Sequence, residues 1–262
     1  MVGMINSTDP ILKIEGLHLG FGGAEVLRGV DLLVPKDGIT AMIGSNGAGK
    51  TALLNTISGI YRPQGGRILL DGEPIQDLPA QSVARKGVGR SFQHQELFER
   101  LDVTENILVA RDRFFPEFST GIFWFGPAAR RRESENRRKV EEVLEFFELG
   151  PARSSMAKSL SFGQQKIVGL ARALALEPKI ILLDEPASGL TRDEKGDLAR
   201  FLLRIRNELS IPILWIEHDL DMIFDLADKV CALELGVCIA SGSADMIRND
   251  PAVISSYLGT SH

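Results

Sequence analysis

The chain has 262 residues, a length that predicts one large domain or one domain with a subdomain. Lys and Arg number 30 against 35 Asp and Glu, while 44% of residues are hydrophobic and 25% are charged, which excludes disorder as the main state. The acidic balance argues against broad nucleic-acid binding. No uncharged apolar run approaches the roughly 18 residues that cross a bilayer.

The N-terminal residues and the cysteines point to the cytosol. The first ten residues have neither the basic start nor the apolar core of a secretory signal. Cys231 and Cys238 form no CxxC motif and have no neighbouring histidine. We therefore expect a soluble cytosolic chain in which both thiols are reduced and pack as small hydrophobic side chains.

The first part of the chain alternates strand and helix patterns. The predicted strands lie at 11–34, with a turn at Gly22 and Gly23, then at 39–44 and 67–75. The predicted helices extend from Lys50 to about Ile60 and over 80–86.

From about Leu97 to Ala157 the β-periodicity fades and the charge density rises, so we interpret 97–157 as an inserted helical subdomain. Four apolar residues there share one face of a helix, namely Val140, Val143, Leu144 and Phe147. Opposite charges four residues apart predict the ion pairs Arg137–Glu141 and Arg138–Glu142. Because Glu balances the basic cluster, we favour a solvated helix face over a nucleic-acid patch.

Strand and helix patterns alternate again after this insertion. Ser161 and Gln164 have the spacing of a capping box at the start of a helix. The remaining predicted elements are strands at 179–184 and 211–218, a helix at about 193–209, a hairpin around Gly236 and a helical tail at 244–258. The alternation predicts an α/β fold with a largely parallel core sheet.

A glycine-rich loop between a predicted strand and a predicted helix matches GxxxxGK[ST] in full. Its candidate nucleotide-binding residues are Gly44, Ser45, Asn46, Gly47, Ala48, Gly49, Lys50 and Thr51. The glycines let backbone N–H groups surround a phosphate at a helix N-terminus. Lys50 is positioned to reach the β- and γ-phosphates, and the Thr51 hydroxyl to ligate Mg²⁺.

Two carboxylates follow the buried strand at 180–183. We expect Asp184 to hold Mg²⁺ and its water shell, and Glu185 to activate the attacking water as general base. An apolar strand that ends in acidic residues is common, so this pattern alone is weak evidence for a nucleotide site. Together with the loop at 44–51 it becomes strong evidence.

The order of these motifs resembles the ATP-binding subunits of ATP-binding cassette (ABC) transporters. The markers that carry the resemblance are the aromatic Phe21, the Walker A loop at 44–51, Gln93 of the Q-loop, the signature at 160–164, Walker B at 180–185 and the switch residue His218.

The resemblance implies a fold and a domain organisation. The implied fold is an α/β P-loop NTPase core of the ABC type, with a mixed sheet, an N-terminal antiparallel β subdomain and an inserted α-helical subdomain. Residues 11–262 would form a single ABC ATPase domain. Its parts would be a nucleotide-binding core at 11–96 and 158–243, a helical subdomain at 97–157 and a C-terminal helical tail at 244–262.

The resemblance also implies roles at the site, with ATP and Mg²⁺ as cofactors. Phe21 would stack on adenine, and Thr51, Gln93 and Asp184 would lie near Mg²⁺. Glu185, His218 and Gln93 would be catalytic, with His218 contacting the γ-phosphate and Gln93 reporting nucleotide state to a membrane partner. The signature residues would face the nucleotide of a second subunit, and these are Ser161, Phe162, Gly163 and Gln164.

Details such as the signature LSFGQQ and the segment EPASGL are similar to the LivG-type branch of this family. That branch imports branched-chain amino acids, urea or short amides. The implied partners are a second ATPase subunit in a head-to-tail homo- or heterodimer, two membrane permeases and, indirectly, a periplasmic solute-binding protein, with no nucleic acid. The implied location is the cytoplasmic face of the inner membrane.

Three features leave alternatives open. Phe162 stands where the family usually has Gly, and we favour a packing difference without an effect on activity. Thr191 stands where the family usually has Asp, which puts in doubt a contact across the dimer. The aromatic run 114–126 suits packing within the helical subdomain, docking of a membrane subunit or contact with a membrane surface.

Three other functions remain alternatives. The first is the ATPase of a lipid or polysaccharide exporter. The second is a soluble ABC ATPase that acts on ribosomes or DNA, which the single set of motifs and the acidic charge disfavour. The third is a binding module without catalysis, which the presence of both Glu185 and His218 disfavours.

Overall fold

Two β-sheets with helices packed around them organise residues 9–91, 97–111 and 127–257, the part of the chain that the computed structural model describes. The strands are β1 (Leu12–Phe21), β2 (Ala24–Val34), β3 (Ile39–Ile43), β4 (Gly65–Leu70), β5 (Glu73–Pro74), β6 (Val88–Ser91), β7 (Ile180–Asp184), β8 (Ile213–Ile216), β9 (Lys229–Glu234) and β10 (Val237–Gly242). The helices are α1 (Lys50–Ile57), α2 (Ala80–Lys86), α3 (Val103–Ala110), α4 (Pro127–Phe146), α5 (Phe162–Ala175), α6 (Arg192–Leu209), α7 (Leu220–Leu226), α8 (Ala244–Arg248) and α9 (Pro251–Tyr257).

The first sheet is antiparallel, with strand order β2-β1-β4-β5. Phe21 pairs with Ala24 at the end of the β1–β2 hairpin. The intervening Gly22 and Gly23 have φ angles of 56° and 87°, a left-handed conformation that glycine adopts without strain. The turn predicted at these two glycines is confirmed.

The second sheet is mixed, with strand order β10-β9-β3-β8-β7-β6. Five of its strands are parallel to one another, and only β10 runs antiparallel, paired with β9 in a hairpin. Every residue of β3, β7 and β8 is buried, which explains why these strands are apolar in sequence apart from Thr40 and the terminal Asp184. The predicted mixed α/β fold is therefore confirmed.

Side chains of β7 face opposite sides of the sheet in alternation. Ile181 and Leu183 pack into the core beneath α5 and α6. Ile180 and Leu182 pack into the core that contains α1 and the antiparallel sheet. The strand that ends in Asp184 is thus fixed from both faces.

Helices α3 and α4 lie between β6 and β7 in the chain, where the sequence predicts a helical insertion. The predicted apolar face of α4 and the turn after it is buried as expected, and its members are Val140, Val143, Leu144 and Phe147. Residues 114–126, the aromatic run, lie outside the described residues.

The ion pairs of α4 differ in part from the prediction. Arg138 and Glu142 do pair, at 3.8 Å. Arg137 instead bonds Glu133, one turn earlier, at 3.0 Å. Glu141 pairs with Arg153, which the loop after the helix brings alongside, so a tertiary contact replaces the predicted pair.

Two predicted helices differ from the structure, one at its end and one in its continuity. α1 ends at Ile57 rather than near Ile60, because Gly59 takes a left-handed φ of 73° just after the helix. The predicted helical tail is two helices, since the Asp250 carboxylate accepts a hydrogen bond of 2.8 Å from the Ala252 N–H and Pro251 begins α9.

Within the described ranges, no helix combines the length and the apolar character that crossing a bilayer requires.

Candidate nucleotide site

The carboxyl ends of β3 and β7 meet at one edge of the mixed sheet, with β8 between them. The loop 44–49 follows β3 and leads directly into α1, whose N-cap is Gly49 with a φ of 103°. No side chain caps the first turn of α1, so its backbone N–H groups are suited to an anion.

Gly44 is fixed by close packing rather than by an unusual φ. A Cβ at this position would lie 2.3 Å from the Leu233 carbonyl oxygen of β9. Any larger residue would push the start of the loop away from the sheet, so only glycine fits there.

Lys50 is buried beneath this loop. Its ammonium Nζ donates hydrogen bonds to the carbonyl oxygens of Gly44 at 2.6 Å and Ser45 at 3.0 Å. Burial lowers the pKa of Lys50, while the nearby carboxylates of Glu185 and Asp184 oppose that shift. The cation thus lies inside the loop, where it complements a phosphate.

Asp184 ends β7 and is buried beside the loop. The Thr51 hydroxyl donates to Asp184 Oδ1 at 3.4 Å. Burial raises the pKa of Asp184, and Glu185 adds to the rise, while Arg90 opposes it. A hydroxyl and a carboxylate at the mouth of a phosphate loop are hard oxygen donors of the kind that Mg²⁺ prefers.

Arg90 of β6 is a site residue that the sequence analysis missed. Its Nη2 lies 3.3 Å from Asp184 Oδ2, and its Nη1 donates to Ser58 Oγ at 3.0 Å. Burial lowers the pKa of this guanidinium. The available signal was a charged residue within a short strand, since buried arginines are nearly always paired.

Glu185 and His218 face each other across the ends of β7 and β8. His218 Nε2 lies 2.6 Å from Glu185 Oε1. Glu185 has a φ of 47°, a left-handed conformation that a non-glycine residue rarely adopts. Its N–H donates to the Ile216 carbonyl oxygen at 2.9 Å, which holds this strained turn against β8.

Glu217, the residue before His218, also escaped the sequence analysis. It is buried, and its Oε2 accepts a 3.0 Å hydrogen bond from the Ala187 N–H. Its Oε1 accepts a 2.9 Å bond from the His218 N–H. This carboxylate therefore ties the loop after Glu185 to the backbone of His218.

The signature residues form the N-terminus of α5. The predicted capping box is present, since the Gln164 N–H donates to Ser161 Oγ and the Ser161 N–H donates to Gln164 Oε1. A Cβ on Gly163 would lie 2.3 Å from Glu194 Oε1 of α6. Hydrogen bonds from Thr191 and Gly163 lower the pKa of Glu194.

The two departures from the family pattern both have local structural roles. The Phe162 ring is half exposed and covers Gly189, where a Cβ would lie 3.0 Å from it. Lys166 Nζ lies 5.3 Å from the centroid of the same ring. Thr191 is the N-cap of α6, and its hydroxyl bonds Glu194 Oε2 at 3.0 Å.

Phe21 lies at the end of β1 with half of its surface exposed. Its ring packs edge-to-face against Tyr61, with centroids 5.0 Å apart. A half-exposed aromatic side chain therefore lies at the end of a strand of the antiparallel sheet. Gln93 lies outside the described residues.

Two protein-family profiles and full-length relatives match this chain. The profile of the ABC transporter family matches residues 27–188, and that of the branched-chain amino acid ATP-binding cassette transporter matches residues 237–262. The chain is 41% identical to the high-affinity branched-chain amino acid transport ATP-binding protein BraF of Pseudomonas aeruginosa, over 95% of this chain and 98% of that protein. It is 37% identical to LivG of Escherichia coli K12, which carries the same description, over 96% and 99%.

Solved structures show the same similarity. A nucleotide-free ATP-binding cassette from an ABC transporter superposes with a TM-score of 0.83 at 31% identity, covering 95% of this chain and 99% of that one. Another such cassette, in its ADP conformation, gives a TM-score of 0.82 at 29% identity, with 96% and 100% covered.

Proposed function

Because this chain belongs to the ABC transporter family, we propose that it is the ATP-hydrolysing subunit of an importer for branched-chain amino acids. Membership supports ATP binding and hydrolysis coupled to transport. The match of residues 237–262 to the branched-chain profile supports the cargo class.

ATP binding rests on the loop 44–51. The uncapped N-terminus of α1 and the buried Lys50 ammonium offer converging N–H donors to the phosphates. The half-exposed ring of Phe21 would stack on adenine. An aromatic ring can stack on any base, so Phe21 would contribute to the affinity for the nucleotide more than to the choice of base.

Thr51 and Asp184 would hold Mg²⁺, together with Gln93 as the family pattern implies. Their hydroxyl and carboxylate oxygens suit this ion. When bound, Mg²⁺ neutralises charge on the β- and γ-phosphate oxygens. Arg90 opposes the rise that burial causes in the pKa of Asp184, and its contact with Oδ2 orients this carboxylate.

The observation that carries the assignment of hydrolysis is the contact between Glu185 and His218 next to Asp184. Glu185 would accept a proton from the attacking water, and His218 would orient Glu185 and contact the γ-phosphate. The strained backbone of Glu185 and the bonds of Glu217 fix this pair before substrate arrives.

A second subunit would complete the site. The N-terminus of α5, with Ser161, Phe162, Gly163 and Gln164, would cap the γ-phosphate held by that partner. Two subunits would then enclose two nucleotides head to tail. The proposed division of the chain is a core at 11–96 and 158–243, a helical subdomain at 97–157 and a tail at 244–262.

The remaining partners follow from the family. Two permeases would attach the subunit to the cytoplasmic face of the inner membrane, and a periplasmic solute-binding protein would deliver the cargo. The relatives' names favour this assignment over an exporter or a ribosome-directed ATPase.

Reconstitution tests this proposal. The chain is co-purified with its membrane partners, inserted into proteoliposomes and supplied with ATP and radiolabelled leucine or sulfate. We expect uptake of leucine but not sulfate, and its loss with Glu185→Gln. Glu135→Gln, which removes an exposed carboxylate of α4, is the matched control. Leucine uptake by the Glu185→Gln complex would contradict the proposal. So would a wild-type complex that hydrolyses ATP without taking up leucine.

A further inference from the structure

The chain has two cysteines, and their sulfur atoms lie in contact within one hairpin. Cys231 in β9 is fully buried, and Cys238 in β10 is partly exposed. Their Sγ atoms are 2.7 Å apart. A disulfide forms at about 2.05 Å, so a small side-chain movement separates contact from a bond.

The strand register explains how the two side chains meet. Cys238 lies opposite Leu233, and Leu233 shares a face of β9 with Cys231, two residues earlier. The two cysteines are therefore diagonal neighbours on one face of the hairpin. Diagonal pairs across antiparallel strands lie within side-chain reach.

We propose that Cys231 and Cys238 are an oxidation site, which a peroxide converts to an intramolecular disulfide that closes the β9–β10 hairpin. The proposal does not rest on the proposed transport function, because the experiments that test it use the isolated chain without nucleotide.

The two sulfurs have different roles in this reaction. Cys238 is the more exposed thiol, and the hydrogen bond from the Cys231 thiol lowers its pKa. The same hydrogen bond and burial raise the pKa of Cys231. Cys238 is thus the thiolate that attacks, and Cys231 is the resolving thiol.

The chemistry balances in two steps. The Cys238 thiolate attacks one peroxide oxygen, the O–O bond breaks, and a sulfenic acid and hydroxide form. The Cys231 sulfur then attacks the sulfenic sulfur, and its proton leaves with the hydroxyl group as water. Overall, two thiols lose two electrons and two protons, and one hydrogen peroxide becomes two waters. Two exchanges with a reduced thiol reverse the process.

The ring that the disulfide closes contains the turn that supports the phosphate loop. The Gly236 N–H in this turn donates to the Ala48 carbonyl oxygen at 3.0 Å. The Gly236 carbonyl oxygen accepts from the Arg28 N–H of β2 at 2.8 Å. Oxidation would therefore restrain the backbone of Gly236, which donates a hydrogen bond to the Walker A loop.

Thiol counting and proteolysis test the proposal on the reduced full-length chain. After treatment with hydrogen peroxide and denaturation in N-ethylmaleimide, we expect the number of maleimide adducts to fall from two to none. The intact mass should be about 2 Da lower, as two hydrogens are lost. Cleavage after Glu234 should leave two fragments that separate only on reduction. Two adducts after treatment, or disulfide-linked dimers of the chain, would overturn the proposal.

Single substitutions separate the two roles. In Cys231→Ala, we expect Cys238 to accumulate a sulfenic acid that dimedone traps. In Cys238→Ala, we expect the buried Cys231 to react at least tenfold more slowly with peroxide. Equal rates would refute the assignment of the attacking thiol. The wild-type fragments remain decisive for the disulfide if either variant unfolds.

Hydrogen exchange tests the link to the phosphate loop. We expect the Gly236 amide to exchange more slowly in the oxidised chain than in the reduced chain, because local opening of the turn is restrained. An exposed amide of α4, far from the hairpin in sequence, serves as the reference. Unchanged exchange at Gly236 would refute the restraint on the loop.

Discussion

His218 Nε2 lies 2.6 Å from Glu185 Oε1, although 33 positions separate the two residues in the sequence. The contact arises because β7 and β8 are parallel neighbours and each residue follows the end of its strand. Parallel strands in one sheet bring such distant residues to the same edge. The order of the strands in the sheet therefore brings the two candidate catalytic residues together.

We expect Glu185→Gln to lower ATP turnover about 100-fold or more, because the amide cannot accept the proton of the attacking water. Nucleotide affinity should stay within about twofold, since the phosphate contacts come from the loop 44–51. Steady-state hydrolysis and binding of a fluorescent ATP analogue measure the two effects. Glu135→Gln controls for the loss of one charge, and turnover that is equal in both variants would contradict the role of Glu185.

Arg90→Met should lower the free energy of unfolding by about 3 kcal/mol, because it leaves the buried Asp184 carboxylate without its cationic partner. Adding Asp184→Asn should restore most of that stability, since the uncompensated charge is removed. Urea unfolding of the nucleotide-free protein measures both variants. If the double variant is no more stable than Arg90→Met, the pair does not account for the loss.

The raised pKa of Asp184 predicts a pH dependence with a definite sign. Burial raises this pKa above its ordinary value of 3.8, so the folded state binds the proton more tightly than the unfolded state. Relative to Asp184→Asn, the wild type should lose stability as pH rises from 3.8 through the raised pKa. Unfolding of both proteins between about pH 4 and 7 measures the difference. A difference that changes in the opposite direction would show that the carboxylate is stabilised when ionised.

Phe21→Ala should weaken ATP binding about 5- to 150-fold, because base stacking on an aromatic ring contributes about 1–3 kcal/mol. Phe21→Tyr should retain most of the affinity. Isothermal titration measures these changes, with inorganic tripolyphosphate as a ligand that has no base and should bind all variants equally. Phe98→Ala removes a similarly exposed phenylalanine and is the matched control. Equal losses of ATP affinity in the two alanine variants would exclude adenine stacking by Phe21.

Local sequence patterns predicted the elements that depend on neighbouring residues. The Gly22-Gly23 turn, the capping box of Ser161 and the apolar run before Asp184 each carry their own signal. The same reasoning placed the end of α1 too late, because a single Gly59 in a left-handed conformation outweighed the helical pattern.

Contacts between distant segments were not predictable in the same way. Arg90 and Glu217 are ordinary charged residues in the sequence, and their importance depends on burial beside Asp184 and Ala187. The pairing of Glu141 with Arg153 likewise requires the loop after α4 to fold back. No pattern of spacing encodes these pairs, because each partner is specified only by the folded chain.

The position of β3 between β8 and β9 has a consequence for how the protein is made. The strand that carries the phosphate loop finds both of its neighbours near the other end of the chain, and the Ile39 N–H bonds an Asp228 carboxylate 189 positions later. During synthesis on a ribosome, this strand therefore cannot pair with its neighbours until most of the polypeptide has emerged. Such long-range pairing makes folding slow, and β3 is an exposed apolar segment in the nascent chain until β9 arrives.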